Sequence, residues 1–438
     1  NNTVSSVTSS GKRWAVLAIL AVVTLAAAIN RQLLFLVIEP LKGELGFSDR
    51  DIGVLTGLAP GLLAGLGVVV LGWLTDRTER HILLAVCIVV WSFATAELGL
   101  AYTFSGFLLG IIALALGETA VTPVANSLIP DIFDGQLRIR ANLIYHVIGG
   151  IAVGLGSLIS GLLLGWLQET GFVLAFLPEL NYWRTAFELV ALLGIPLAAL
   201  VLCIGKVNRR ESAEDIGGAV CNSSLEHYFR RNGRVAVSLY ISLALTIFAG
   251  MAVMSWTPSF IVRLYDVSPA DVGFTAGLVT IIGSVSGAGA AALFVFRATP
   301  RLGVLAPRIL FQISILLVAI PLILQLYAGT AQQAYILYGL QIFFANTGLA
   351  LSAHMVQNIS PSHLRGRLFG IYGLVGMLLS SLAPLFTGML SDSLHTYDRG
   401  LVIAVVFVSV PALVVAAGIM RATNQTYQAA AASFELPR

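Results

Sequence analysis

Charge is what this chain has least of: Asp, Glu, Lys and Arg together make up 11% of its 438 residues, against 57% hydrophobic residues. With a mean hydropathy of +0.89, that excludes a soluble globular domain, in which about a quarter of residues are charged. Cysteine is scarce too. Cys87 and Cys203 fall inside apolar stretches and Cys221 in a polar one, so neither a disulfide framework nor a metal set is indicated. No metal ion and no cofactor are expected. A net charge of +3 says little by itself, no nucleic-acid partner is expected, and the glycine patterns that imitate GxGxxG lack the preceding strand of a nucleotide site. With no nucleophile or metal-ligand set at a plausible site, an enzyme is not expected either.

What the chain does have is long apolar runs. The hydrocarbon core of a bilayer is crossed by about 20 helical residues, and no other open structure satisfies its own backbone there. Twelve runs qualify: 14–39, 50–73, 82–101, 104–129, 139–167, 184–205, 235–264, 270–296, 304–326, 332–359, 366–390 and 399–421. The expected class is therefore an all-α membrane protein. Cytoplasmic loops hold Lys and Arg. The termini and even-numbered loops carry nineteen of the 25, the odd loops only Lys42, Arg50, Arg184, Arg263 and Arg399. Both termini are thus expected in the cytoplasm. The first run is too long for a cleavable signal and carries Arg31.

The two halves repeat. Ser48, Asp51, Gly53 and Gly57 recur as Ser268, Asp271, Gly273 and Gly277, each set opening the second helix of its half. Independently, Arg138, Arg140, Tyr145, Gly149 and Gly161 recur as Arg365, Arg367, Tyr372, Gly376 and Gly388. Transporters are commonly built from such repeats. The reading is two pseudo-symmetric six-helix bundles, 1–205 and 235–438, joined by a cytoplasmic linker, 206–234, whose basic ends read first as ordinary positive-inside topology, with contact to anionic lipid headgroups as the alternative. Glycines four apart, such as Gly57 with Gly61 and Gly283 with Gly287, read as helix-packing faces.

Within the first run sit Asn30 and Arg31. An arginine stays charged at any useful pH and costs about 3 kcal/mol or more at membrane depth without a partner. Glu118 is the acid available in the middle of another run. It is expected to pair with Arg31, either as a proton-binding carboxylate or as a permanently ionised structural partner.

The loop Gly72 to His81, GWLTDRTERH, resembles the signature loop of the major facilitator superfamily, and it stands after the second span as it does there. The resemblance implies that fold, with Gly72 at a close helix contact and with Asp76, Arg77, Arg80, Arg138 and Asp49 as gating residues. Within the superfamily the chain is similar to the spinster group, whose animal members move lysophospholipids and sphingoid lipids. Three stretches carry this: Asn30-Arg31 before Pro40, Ser48 to Gly57, and Gly117-Glu118 followed by Pro123 and Pro130-Asp131. The match departs twice. That group usually has Asp where Asn30 stands and Arg where Ile111 stands, so one acid and one base are missing together.

The resemblance implies a proton-coupled secondary carrier of lysolipid-like amphiphiles, with Arg31, Glu118, Asn30 and Ile111 marking the proton and substrate site. A carrier of small organic anions or drugs, and a transport-impaired variant trapped in one conformation, are the alternatives. Trp256, Asn346, His354 and Gln357 are the candidate lining residues of the second half, and His146 is a further polar residue in the fifth span. The expected setting is the inner membrane of a bacterium, the expected partners are protons, membrane lipids and a lipid-like substrate, and the expected state is a monomer.

Overall fold

The computed structural model describes residues 10–133, 135–175, 177, 179–205, 225–361 and 364–434. They are nearly all helical. In chain order the helices are α1 (Ser10–Leu36), α2 (Ile38–Leu45), α3 (Asp49–Gly53), α4 (Ala59–Arg77), α5 (Arg80–Leu100), α6 (Phe104–Thr119), α7 (Val121–Ile132), α8 (Gly135–Thr170) and α9 (Tyr182–Leu202). The second half contributes α10 (Leu225–Tyr265), α11 (Pro269–Leu302), α12 (Ala306–Leu324), α13 (Ala331–Leu349), α14 (Ser352–Asn358), α15 (Arg365–Ser393), α16 (Gly400–Ala422) and α17 (Asn424–Phe434).

Among the described residues ten helical segments are long and apolar enough to cross a membrane. One of them, Pro269–Tyr327, contains both α11 and α12, and the second expected span is broken by a π-helical turn, Val54–Leu58, between α3 and α4. Allowing for these two, the structure is consistent with twelve crossings. Breaks follow local chemistry. α6 ends at Thr119 because Pro123 has no N–H to give the Thr119 carbonyl. Of the expected linker, residues 206–224 lie outside the described residues, and 225–234 form the first turns of α10.

Packing divides the chain into two compact units, Asn1–Leu34 with Leu63–Val220 and Phe35–Leu62 with Cys221–Arg438. The first has an aromatic core in which Trp183 lies 6.4 Å from Phe107 and meets Phe187 edge-on at 6.2 Å. In the second, Gly53, Gly57 and Gly61 let the chain from α3 to α4 lie directly on α15. A Cβ on Gly57 would stand 2.5 Å from the Ser381 carbonyl oxygen, and one on Gly388 would stand 2.1 Å from that of Asp49.

The repeated Ser-x-x-Asp motif has a local cause. Ser48 Oγ accepts from the Asp51 N–H while Asp51 accepts from the Ser48 N–H, a complete capping box, and Ser268 Oγ likewise accepts from the Asp271 N–H. Each such cap stabilises a helix start by about 1 kcal/mol.

Candidate functional site

Successive residues on a helix are about 100° apart around its axis, so Asn30 and Arg31 of α1 face different surroundings. Asn30 is 3% exposed. Its Oδ1 accepts from the Thr95 hydroxyl of α5 at 2.9 Å, which Thr95 shares with the Trp91 carbonyl, and its Nδ2 donates to the Ala26 carbonyl at 3.3 Å. Arg31, with 54% of its side chain exposed, donates through Nη2 to Glu118 Oε2 at 3.2 Å. The Glu118 side chain is 9% exposed, and its Oε1 is buried with no hydrogen-bond partner among the described residues. The structure therefore brings Arg31 and Glu118 together and puts Asn30 in a separate pairing with Thr95. Ile111, two turns before Glu118 on α6, is buried. Thr95 carries no sequence signal, because hydroxyls that bond their own helix are common in apolar spans.

The signature loop joins α4 to α5. Arg80 is buried, donates to the Ser127 carbonyl at 2.6 Å and pairs with Asp131 of α7, so the arginine of the loop meets the acid of the Pro130-Asp131 stretch. Arg77 and Arg138 are exposed, and the surroundings of Gly72 and the side chains of Asp76 and His146 lie outside what the structure describes.

Asp49 belongs to a larger network. Arg263 of α10 grips it bidentately, Nη1 to Oδ2 at 3.0 Å and Nη2 to Oδ1 at 2.9 Å. Ser391 donates to it at 2.6 Å, and Lys42 pairs with it. The same guanidinium holds Glu39 of α2, Nη2 to Oε1 at 2.7 Å, and Ser259 also donates to Glu39. Asp392 of α15 accepts the free backbone N–H groups of Asp49 at 3.0 Å and Arg50 at 2.8 Å, the donors that a helix start leaves unpaired. Burial raises the Asp49 pKa, but hydrogen bonds and charge from Arg263 and Lys42 outweigh it and hold the carboxyl at about 2. A cavity of about 590 Å³ opens beside this network, lined in part by Lys42, Asp392, His395 and Asp398. Sequence reasoning selected Asp49 alone. Glu39, Arg263 and Asp392 stand near span ends, where charge is ordinary.

Of the expected lining residues, Trp256 is wholly buried and its indole N–H donates to the Pro384 carbonyl at 3.2 Å. Asn346 is half-buried and donates to Ser284 and Ile342. His354 and Gln357, on α14, are exposed.

A model of the Major Facilitator Superfamily matches residues 20–305. The chain belongs to the major facilitator superfamily. Among curated proteins it is similar to an MFS-type efflux pump of Mycolicibacterium smegmatis, 28% identical, with 89% of this chain and 86% of the relative covered. It is also similar to a probable galactarate/D-glucarate transporter of Bacillus subtilis, 23% identical, with 91% and 90% covered. Among solved structures, a bacterial homologue of the human lysosomal transporter spinster, in an inward-facing and unoccupied conformation, aligns with a TM-score of 0.76 at 21% identity over 98% of each chain.

As a member of this superfamily the chain is a multi-pass membrane transporter and not an enzyme. What the fold cannot specify is cargo, which depends on the side chains of the site.

Proposed function

We propose that this transporter is a proton-coupled secondary carrier that moves amphiphiles with one ionic head, lysophospholipid- or sphingoid-like, by alternating access. The observation that carries the reading is the state of the Arg31–Glu118 pair: a half-exposed guanidinium with one hydrogen bond, facing a buried carboxyl with one unused oxygen. Ionisable groups at membrane depth mark substrate and proton pathways. Protonation of Glu118 removes the charge that holds Arg31 and leaves the guanidinium for a phosphate or carboxylate of the substrate, which it can grip bidentately. Loss of the proton draws Arg31 back to Glu118 and expels the anion. Asn30 contributes a fixed, non-titrating dipole, and Ile111 contributes apolar surface where the spinster group has a base.

In this scheme Gly72, Asp76, Arg77, Arg80 and Arg138 serve the cytoplasmic gate, and Asp49 with Arg263 the opposite one. Asn346, His354 and Gln357 belong to the wall of the second half, whereas Trp256, wholly buried with its indole N–H on the Pro384 carbonyl, exposes no surface to line it. The carrier works as a monomer in the inner membrane of a bacterium, with both termini in the cytoplasm. The resemblance of the Asn30-Arg31, Ser48 to Gly57 and Gly117-Glu118 stretches to the spinster group supports the lipid assignment.

The relationship to a sugar-acid transporter favours a second reading, a carrier of small organic anions, since Arg31 grips a carboxylate as well as a phosphate. Competition separates the two. Uptake of a labelled lysophospholipid into proteoliposomes, challenged with unlabelled lysolipid or with glucarate, should respond to the lipid alone. Inhibition by glucarate with no lipid uptake would establish the second reading.

A further inference from the structure

α9 carries two ionisable residues one turn apart inside its membrane-crossing stretch, Arg184 and Glu188, and they do not pair. Arg184, 1% exposed, spends its charge on α5: Nη1 donates to the Gly99 and Ala101 carbonyls, each at 2.8 Å. Its guanidinium also lies over the rings of Tyr102, at 4.0 Å, and Trp183, at 4.5 Å. These carbonyls end α5, where the helix dipole is negative. Glu188 is 7% exposed, and its Oε1 is buried with no hydrogen-bond partner among the described residues. It fits the notch left by Gly99, where a Cβ would stand 2.5 Å from Oε1.

No charged group of a neighbouring element compensates it among the described residues. On α5, Glu97 turns toward Gly106, its Oε1 3.7 Å from where a Cβ would stand there. Packing does not require an acid at this register. The same device recurs in the second half, where Arg399 donates to the Leu326 carbonyl at 3.0 Å and the Ala328 carbonyl at 2.8 Å. There the residue four positions on is Ile403.

We propose that Glu188 is a second proton-binding carboxyl of this transporter, separate from Glu118, and that it carries its proton in this conformation. A buried carboxyl that no hydrogen-bond donor or cation contacts favours the neutral form. The transporter thus has a second proton to give up when the surroundings of α9 and the end of α5 change.

The test is carbodiimide labelling of the whole protein in phosphatidylcholine vesicles. Dicyclohexylcarbodiimide adds to a protonated carboxyl: the acid proton goes to one carbodiimide nitrogen as the carboxyl oxygen bonds the central carbon. The acyl group then shifts to nitrogen, and nothing leaves. Peptide mass spectrometry at about pH 6, where an ordinary glutamate is still ionised, should find Glu188 labelled in most molecules and exposed Glu226 unlabelled. Glu188 left unlabelled would overturn the proposal. Glu188→Gln keeps the shape of the neutral acid, and its infrared difference spectrum against the parent at the same pH should show one carbonyl band of a protonated carboxyl. Absence of that band would likewise overturn it. Neither readout depends on which substrate is carried.

Discussion

Asn30 occupies a position that takes an acid only in its neutral form. Its Nδ2 donates to the Ala26 carbonyl, and an aspartate would turn a carboxylate oxygen on that carbonyl instead. Leaving a buried polar group so mismatched costs about 1–3 kcal/mol. Asn30→Asp should therefore melt below the parent at high pH and close to it once the new acid is protonated; equal melting at every pH would count against this account. Arg31→Ala strips a buried carboxyl of the one cation that pairs with it among the described residues. Because Arg31 is half-exposed, the loss should fall below the about 3–5 kcal/mol of a wholly buried pair. Adding Glu118→Gln should restore much of it, measured as folded yield and melting temperature. The pair was legible because a charge within an apolar run demands a partner and the sequence offers few. Thr95 was not, since a hydroxyl makes no such demand.

At the scale of elements, the segment from α2 to α4 is fixed by glycines and by one charge network. Gly57→Val should push against the Ser381 carbonyl and the Pro384 ring, an overpacking cost of about 1–3 kcal/mol, visible as a lower melting temperature. Asp49, held at about 2 against an ordinary 3.8, binds its proton more weakly folded than unfolded. Its contribution, about 2 kcal/mol by linkage, is present in full above about pH 4 and is lost as pH falls toward 2. The gap in melting temperature between the parent and Asp49→Asn should accordingly shrink below pH 4; a constant gap would refute it. The helices were legible from run length and the caps from Ser-x-x-Asp. The network was not, because Glu39, Arg263 and Asp392 meet only after α2, α3, α10 and α15 have packed. The matched pair Arg184 and Arg399 shows the same limit: the repeated device bonds backbone carbonyls, which have no side-chain signature.

At the scale of the molecule, fold and superfamily follow from hydropathy, the half-length repeat and the loop at Gly72, while cargo does not. The nineteen-to-five division of basic residues predicts that Cys221 in the linker resists an impermeant thiol reagent in intact cells and reacts in inverted vesicles. Reaction in intact cells would reverse the topology. The central claim, that one proton on Glu118 exchanges with an anionic amphiphile on Arg31, is tested most directly by flux. Labelled lysophospholipid uptake into proteoliposomes should rise severalfold under an imposed pH gradient, and Glu118→Gln should abolish that response while still binding the lipid. Gradient-driven uptake that survives Glu118→Gln unchanged would contradict the account.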